Sequence, residues 1–314
     1  MLRGGSCMKV MVSGVGSVGG YITSLLCRYK AEQDTVTAVV RGRRQEALAV
    51  NGLVLHSEIL GECIVHPVLV TEPKVAGVQD VIFVCVKNYS LHEALQALKS
   101  CVDEHTIIVP IMNGIDHYEV TRRELPAGHI VDALIYIFAS GNADYSVNQA
   151  GNKVRLCLAV YEPGDQAALE TVRQLLDHPG MTCVLPADMP AELWSKFITN
   201  CGFNVITAYY ACDIQGLKDN PVRLQEYRAL LDEAYAVGRA EGVDLSENLT
   251  QTIYDRVVLR SSPHVTSSMA QDVMAGRRIE LETFGGVICR LADKHQVAVP
   301  VTKRLYEAMK KNQG

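Results

Sequence analysis

Residues 9–26 read KVMVSGVGSVGGYITSLL, and this stretch decides how the chain begins to fold. A short β-type run ends in a glycine-rich turn, which passes into an apolar pattern with helical spacing. Strand, G-x-G-x-x-G and helix follow in the order that places a pyrophosphate on the helix N-terminus, although a glycine-rich turn without a ligand is the alternative. We therefore predict a dinucleotide-binding loop made of Gly14, Val15, Gly16, Ser17, Val18 and Gly19.

The next predicted strand, residues 35–40, ends at a cluster of arginines. An NAD enzyme usually carries Asp or Glu here to accept from the ribose 2′-hydroxyl, whereas arginine accommodates a 2′-phosphate. The strand ends without a carboxylate, so the sequence predicts NADP (NADPH) as the cofactor. Arg41 is the expected contact, with Arg43 or Arg44 as a helper. A solvated basic turn is the alternative.

Two further apolar runs, residues 80–86 and 106–111, have the continuous pattern of buried parallel strands. Lys87 follows the first run and Asn113 follows the second. Ligands of an open α/β sheet bind beyond the carboxyl ends of its strands, so both residues become candidates for the nicotinamide side of the cofactor. A surface lysine and an ordinary Asn-Gly turn are the alternatives.

The sequence pattern changes from mixed to helical near residue 187. We predict an α/β protein with an N-terminal Rossmann-like NADP-binding domain over residues 1–187 and an all-helical C-terminal domain over residues 188–314. Residues 186–190 form the predicted linker, and the active site is expected in the cleft between the domains. The helices of the second domain are predicted at residues 191–211, 221–241, 247–259, 265–275, 278–296 and 301–311.

The composition is that of a globular protein of about two domains. The chain has 314 residues, of which 48% are hydrophobic and 21% charged, and a formal net charge of −5. This charge argues against nucleic-acid and anionic-membrane partners. Ten cysteines without a C-x-x-C pair suit buried thiols in a reducing cytosol better than disulfides or a metal site. The first seven residues lack an apolar signal core, so we predict a cytoplasmic protein.

Residues 192–204, ELWSKFITNCGFN, place three polar side chains along one face of a predicted helix. Lys196, Asn200 and Asn204 are spaced at i, i+4 and i+8, and most of the remaining circumference is apolar. A lone ammonium on such a helix either reaches solvent or lies in a cleft, where burial lowers its pKa. A core helix whose lysine extends to solvent is the alternative.

Over residues 8–311 the sequence resembles the ketopantoate reductase (2-dehydropantoate 2-reductase) family. The motifs of the second domain are far more specific than the glycine loop. The matching motifs are GVGSVGG at 14–20, Lys87, Asn113-Gly114, E-L-W-x-K-x-x-x-N-x-x-x-N at 192–204, S-S-M-x-Q-D at 267–272, G-R-x-x-E at 276–280 and A-V-P at 298–300.

The resemblance implies NADPH-dependent reduction of ketopantoate, a 2-oxo acid, to pantoate in pantothenate biosynthesis, and a homodimer formed through the helical domain. Lys196 matches the family's catalytic proton donor, and Glu280 matches the acidic partner that orients the lysine or holds a substrate hydroxyl. Lys87 and Asn113 match residues beside the nicotinamide and its ribose, and Arg41 matches the 2′-phosphate contact. The implied substrate-binding residues are Asn113, Lys196, Asn200, Asn204, Ser268 and Glu280.

The chemistry supports the lysine assignment, and the identity of the substrate stays open. Hydride transfer to a ketone builds alkoxide charge, which a nearby ammonium both stabilises and protonates. Pantoate-forming relatives commonly carry asparagines where this chain, by spacing, has Ile214, Val265 and Gly285. A reductase of another 2-oxo acid is therefore an alternative. A non-catalytic NADP(H)-binding sensor is a third hypothesis, but a sensor would not need both Lys196 and Glu280.

Overall fold

The computed structural model describes residues 7–311 of the chain. The chain divides into two compact units, of which the first ends at Met189 and the second begins at Pro190. The first unit mixes strands and helices, and the second contains helices within the described residues. The predicted fold class is confirmed.

The first unit contains two sheets whose strands alternate with helices. The strands are β1 (Lys9–Ser13), β2 (Thr35–Val39), β3 (Leu53–Ser57), β4 (Gly61–Val65), β5 (Val68–Val70), β6 (Val81–Val84), β7 (Ile107–Pro110), β8 (His129–Ile130), β9 (Asp132–Gly141), β10 (Val147–Ala159) and β11 (Thr182–Val184). The helices are α1 (Ser17–Tyr29), α2 (Gly42–Asn51), α3 (Leu91–Leu98), α4 (His117–Glu124) and α5 (Gln166–Leu176). Short 3₁₀ turns lie at Pro73–Ala76, Asn88–Ser90, Lys99–Cys101 and Pro163–Asp165.

The larger sheet has six parallel strands in the order β5-β2-β1-β6-β7-β8. Every residue of β6 and β7 is buried, as expected for parallel strands that are covered on both faces. Both strands end earlier than the apolar runs suggested, at Val84 and Pro110. Lys87 and Asn113 therefore lie in the loops beyond the strand ends.

The second sheet has the order β11-β10-β3-β4, with β9 paired antiparallel to β10. The consecutive strands β9 and β10 form a hairpin. Helix α1 contributes Tyr21, Ile22 and Leu25, all fully buried, to a core that includes residues of both sheets. The start of α1, where the glycine loop ends, is thereby held rigidly.

The second unit is built from helices that a few irregular turns interrupt. They are α6 (Met189–Tyr210), α7 (Ile214–Lys218), α8 (Pro221–Ala240), α9 (Leu249–Tyr254), α10 (Ser268–Met274), α11 (Val287–His295) and α12 (Pro300–Lys311), with π-helical turns at Asp255–Leu259 and Glu282–Gly286. None of the helices in residues 7–311 is long and apolar enough to cross a membrane.

Two details of the helical unit differ from the sequence prediction. Helix α6 begins at Met189, inside the stretch predicted as a linker, because Pro190 fits the first turn of a helix, where no backbone donor is needed. Helix α7 was missed because its five residues are too few to show a period. Asp213 caps its start by accepting from the backbone N–H of Gly216 at 2.9 Å.

A buried histidine–aspartate pair joins the start of α4 to the start of β9. His117 Nε2 lies 2.9 Å from Asp132 Oδ1, and the side chains are 0% and 1% exposed. The Tyr161 hydroxyl donates to Asp132 Oδ2 at 2.7 Å. Burial raises the pKa of Asp132, but the hydrogen bond and charge of His117, together with the Tyr161 hydrogen bond, outweigh it and hold the pKa below its ordinary value.

We expect Asp132→Asn to lower the free energy of unfolding by about 1–3 kcal/mol at pH 7, because a buried charge-assisted hydrogen bond is lost. The pKa of Asp132 is depressed in the folded state, so its contribution is present above the ordinary aspartate pKa and is lost as the pH falls through the depressed value. Urea unfolding should therefore separate variant from wild type at pH 7, and the difference should shrink as the pH falls below the ordinary aspartate pKa.

The matched control is Asp244→Asn, since Asp244 is 93% exposed in its ion pair with Arg239. Such a surface pair contributes little, so this variant should unfold like the wild type. Equal stability of Asp132→Asn and the control at pH 7 would show that the buried pair does not stabilise the unit.

Candidate active site and cofactor loop

The glycine loop between β1 and α1 has the geometry that a phosphate requires. Gly14 has a φ of +92°, and a Cβ there would lie 2.7 Å from Val86 Cγ1. A Cβ on Gly19 would collide with the carbonyl oxygen of Gly14, so only glycine lets the helix pack on the turn. Gly16 is different, because no atom lies within 4 Å of where its Cβ would be. The start of α1 is therefore open beside Gly16, and no side chain caps it.

The other residues of the predicted loop divide by exposure. Val15 is 3% exposed and belongs to the core, so its side chain is not available to a ligand. Ser17 and Val18 are half-buried in the first turn of α1. The loop thus presents backbone N–H groups and one hydroxyl, which suits an anion at a helix N-terminus.

Arg41 lies at the carboxyl end of β2, in extended backbone immediately before α2. Its Nε donates to the carbonyl oxygen of Thr71 at 3.2 Å, and its Nη1 lies 3.2 Å from Glu93 Oε1. The Arg41 and Glu93 side chains are 58% and 77% exposed. An ion pair this exposed is weak, so an anionic ligand competes with Glu93 for Arg41 at low cost.

The loops after β6 and β7 are joined by Asn88, which the sequence analysis missed. Its Nδ2 donates to the carbonyl oxygen of Asn113 at 3.4 Å and to Asp116 Oδ1 at 3.4 Å. Lys87, directly before Asn88, and Asn113 are both half-buried. The structure therefore brings together the two strand ends that carry Lys87 and Asn113.

In the helical unit, the side chain of Asn204 connects α6 to α10. Its Oδ1 accepts from the backbone N–H of Met269 at 3.2 Å and from the Ser268 hydroxyl at 3.3 Å. Its Nδ2 donates to Asn200 Oδ1 at 3.3 Å. Asn204 is 4% exposed, whereas Ser268 is exposed and Asn200 half-buried. These hydrogen bonds of the Asn204 side chain all go to protein groups, whereas its partners Asn200 and Ser268 are more accessible to solvent.

Further hydrogen bonds fix α10 beside α6. Ser267 caps α10 by accepting from the backbone N–H of Ala270 at 3.1 Å, and its hydroxyl lies 2.7 Å from that of Thr207 on α6. Arg277 Nε donates to Asp272 Oδ1 at 2.8 Å and closes the turn after α10. The sequence analysis missed the roles of Ser267 and Thr207, although Ser before an apolar helix is an N-cap signal.

Lys196 and Glu280 lie on segments that pack against each other. Lys196 is half-buried on α6, one turn before Asn200. Glu280 is 3% exposed, just before the π-helical turn Glu282–Gly286. Within that turn the ring of Phe284 lies 6.4 Å from that of Phe197, and its carbonyl oxygen accepts from the Cys201 thiol at 3.9 Å. Glu280 is therefore a buried acidic side chain and not part of the solvent-exposed surface.

The three positions that depart from the pantoate-forming pattern pack against apolar groups or backbone. Ile214 is 1% exposed, and its N–H donates to the carbonyl oxygen of Val265 at 3.0 Å. A Cβ on Gly285 would lie 3.1 Å from the ring of Tyr306. Among residues 7–311, no group of three or more His, Cys, Asp and Glu side chains is arranged to hold a metal ion.

Known proteins resemble the chain along nearly its whole length. A 2-dehydropantoate 2-reductase of Halobacterium salinarum is 26% identical over 306 residues, which cover 96% of this chain and 98% of that protein. A PanE/ApbA family ketopantoate reductase from Ralstonia eutropha has a TM-score of 0.87 at 24% identity, covering 96% of this chain and 97% of the other. A D-mandelate dehydrogenase, solved with NADH and anilino(oxo)acetate, has a TM-score of 0.86 at 19% identity and covers 96% of each chain.

Two models of one family match the chain in succession. The model of ketopantoate reductase PanE/ApbA matches residues 10–162. The model of the ketopantoate reductase PanE/ApbA C terminal matches residues 188–313. Together they leave unmatched only the two ends and residues 163–187, so the chain belongs to the ketopantoate reductase family of oxidoreductases.

Proposed function

We propose that this protein is an NADPH-dependent reductase that converts 2-dehydropantoate to pantoate, the precursor of pantothenate. The observation that carries the proposal is the polar face of α6, where Asn204 ties Asn200 and Ser268 together one to two turns beyond Lys196. The family assignment adds the reaction class. The glycine loop, open at Gly16, supplies a site for the dinucleotide.

In this proposal Lys196 is the general acid. The nicotinamide, when bound, supplies a hydride to the carbonyl carbon of the 2-oxo acid. The Lys196 ammonium attracts the carbonyl oxygen, stabilises the developing alkoxide and gives up one proton to it, so that ketone, hydride and proton become a secondary alcohol. The lysine then regains its proton from water. Glu280, buried on the segment that packs against α6, orients the lysine or holds the substrate hydroxyl.

Ser268 and Asn200 are the proposed substrate contacts, and Asn204 is a positioning residue. The Ser268 hydroxyl donates its hydrogen to Asn204, and because Ser268 is exposed its oxygen can accept from a substrate hydroxyl. Asn204 also fixes the carboxamide of Asn200 through its Nδ2. The positions of both contacts are thus set before the substrate arrives.

A reductase of another 2-oxo acid is the second candidate function. It is favoured by Ile214, which is fully buried at a position where pantoate-forming relatives commonly carry asparagine, and by the backbone bond between Ile214 and Val265. A site with fewer hydrogen-bonding groups discriminates less well in favour of a hydroxylated substrate. Reaction type and cofactor are the same in both candidates.

The proposal also covers the cellular compartment of the protein and its oligomeric state. All ten cysteines lie among the described residues, and none forms a disulfide, which is typical of a reducing compartment such as the cytoplasm. A homodimer through the helical unit stays a prediction, which measurement of the mass in solution tests.

The function is tested by following NADPH absorbance with ketopantoate and a panel of 2-oxo acids. We expect ketopantoate to give the highest kcat/KM and Lys196→Ala to lower kcat by about 10²–10⁴-fold, the range for loss of a general acid. Lys303→Ala, which removes an exposed lysine of α12, is the control and should keep wild-type kinetics.

Each result has a distinct meaning. If none of the 2-oxo acids oxidises NADPH, the proposal that the protein is a reductase is refuted. A different preferred acid would select the second candidate. Full turnover by Lys196→Ala would leave the reductase intact and remove the proton-donor role of Lys196.

Arg41 is expected to distinguish the two nicotinamide dinucleotides. Arg41→Ala should weaken NADPH binding at least about tenfold and NADH binding little, because only NADPH carries the 2′-phosphate. Glu93→Gln removes the carboxylate that pairs with Arg41 and should tighten NADPH binding by about two- to fivefold. Calorimetric titration measures both effects, and equal losses of the two cofactors in Arg41→Ala would rule out the 2′-phosphate contact.

A further inference from the structure

Arg44 has a buried guanidinium nitrogen for which residues 7–311 supply no hydrogen-bond acceptor. It lies in the first turn of α2, half-buried, and its Nη1 is buried without a hydrogen-bond partner among residues 7–311. Burial lowers the pKa of Arg44, with a smaller opposing effect of Tyr145. A buried guanidinium N–H without an acceptor costs free energy, which an anion beside it would recover.

The position of Arg44 at a helix N-terminus adds to this cost. A helix N-terminus carries partial positive charge, so it favours acidic side chains and disfavours cations. The first turn of α2 holds no acidic side chain, yet Arg43 and Arg44 lie in it and Arg41 directly precedes it. Arg41 has Glu93 as its partner, on the side of α3. The Nη1 of Arg44 has no acceptor among residues 7–311, so an anion beside it would meet an unused donor.

A strained tyrosine holds the guanidinium in place. Arg44 Cζ lies 5.0 Å from the centre of the Tyr145 ring, within the range of a cation–π contact. Tyr145 has a φ of +68°, a left-handed conformation that costs a residue with a Cβ about 1–3 kcal/mol. The turn is fixed by the Asn142 N–H, which donates to the carbonyl oxygen of Ser146 at 2.9 Å. The hairpin thus keeps the ring over Arg44 despite the strain.

The Arg44 guanidinium lies close to the glycine loop. A Cβ built on Gly141 would lie 3.8 Å from Ser17 Oγ and 4.0 Å from Arg44 Nη2. Ser17 is the first residue of α1, so the guanidinium and the open helix start flank the same exposed glycine. Phosphate groups at a helix N-terminus gain strongly from an adjacent arginine.

We propose that Arg44, held by Tyr145, binds the pyrophosphate of the dinucleotide together with the start of α1, while Arg41 binds the 2′-phosphate. The two arginines of one turn thus serve different phosphates. This inference rests on the dinucleotide part of the proposed function and is independent of the 2-oxo acid.

The test compares dissociation constants of the full-length protein for NADPH, NADH, ADP and adenosine 2′-monophosphate by calorimetry. Arg44→Gln should weaken the three ligands with a pyrophosphate by about tenfold each and change adenosine 2′-monophosphate by less than about twofold. Arg41→Gln should weaken NADPH and adenosine 2′-monophosphate, which carry the 2′-phosphate, and should change NADH and ADP little. Arg44→Lys, which keeps the charge but not the planar fork, should recover part of the affinity for ADP.

Two variants control for folding and for the cation–π contact. Arg228→Gln removes an arginine that lies 5.6 Å from the ring of Tyr254 in the helical unit, and it should leave all four constants unchanged. Tyr145→Asn keeps a residue that tolerates the left-handed backbone but removes the ring. It should weaken the same three ligands as Arg44→Gln, by a smaller factor, even if Arg44→Gln proves too unstable to study.

Unchanged ADP and NADH binding in Arg44→Gln or Tyr145→Asn would overturn the proposal. A loss confined to NADPH and adenosine 2′-monophosphate would overturn it as well, because it would assign Arg44 to the 2′-phosphate. Wild-type protein that binds none of the four ligands would refute the dinucleotide site together with the proposal. Loss of ADP affinity in a protein that turns over no 2-oxo acid would support Arg44 while refuting the proposed reductase.

Discussion

One buried carboxamide, that of Asn204, is the constraint on which the polar face of the helical unit depends. Burying an amide is unfavourable unless its donors and acceptors are satisfied. Asn204 meets this condition with Met269, Ser268 and Asn200, at 3.2–3.3 Å. Because these partners belong to two helices, their relative position is set by a side chain that offers little surface to a ligand. The proposed proton donor, Lys196, lies on the same helix as Asn204, so its position relative to α10 is fixed by the same hydrogen bonds.

The first unit fixes its glycine loop by steric exclusion, whereas the helical unit fixes its polar face by hydrogen bonds. At Gly14 and Gly19 a side chain would collide with neighbouring atoms, so only glycine at these two positions lets α1 pack against the turn. At Gly16 the space is open, and the backbone donors of α1 remain uncapped. This helix start carries positive potential, and Arg41, just before α2, and Arg44, in its first turn, add positive charge to the same unit, as the proposed phosphate contacts require.

Local sequence was sufficient for the features that depend on local spacing. The glycine loop, the buried strands β6 and β7 and the alignment of Lys196, Asn200 and Asn204 follow from short periods and known turn chemistry. The pairing of Arg41 with Glu93 joins residues 52 positions apart, and that of Asn204 with Ser268 joins residues 64 apart. Such contacts are set by how the elements pack, which no local pattern encodes. For the same reason the local spacing predicts Asn204 as a substrate contact but does not reveal that its oxygen accepts from two residues of α10.

The hydrogen bond from the Ser268 hydroxyl to Asn204 is the contact through which Asn204 is proposed to position Ser268. A double-mutant cycle of Asn204→Ala and Ser268→Ala, read as kcat/KM for ketopantoate with NADPH, measures their coupling directly. The account predicts that the double variant is little worse than either single variant, with a coupling energy of about 1–3 kcal/mol. Losses that simply add would contradict it, because Asn204 and Ser268 would then act independently.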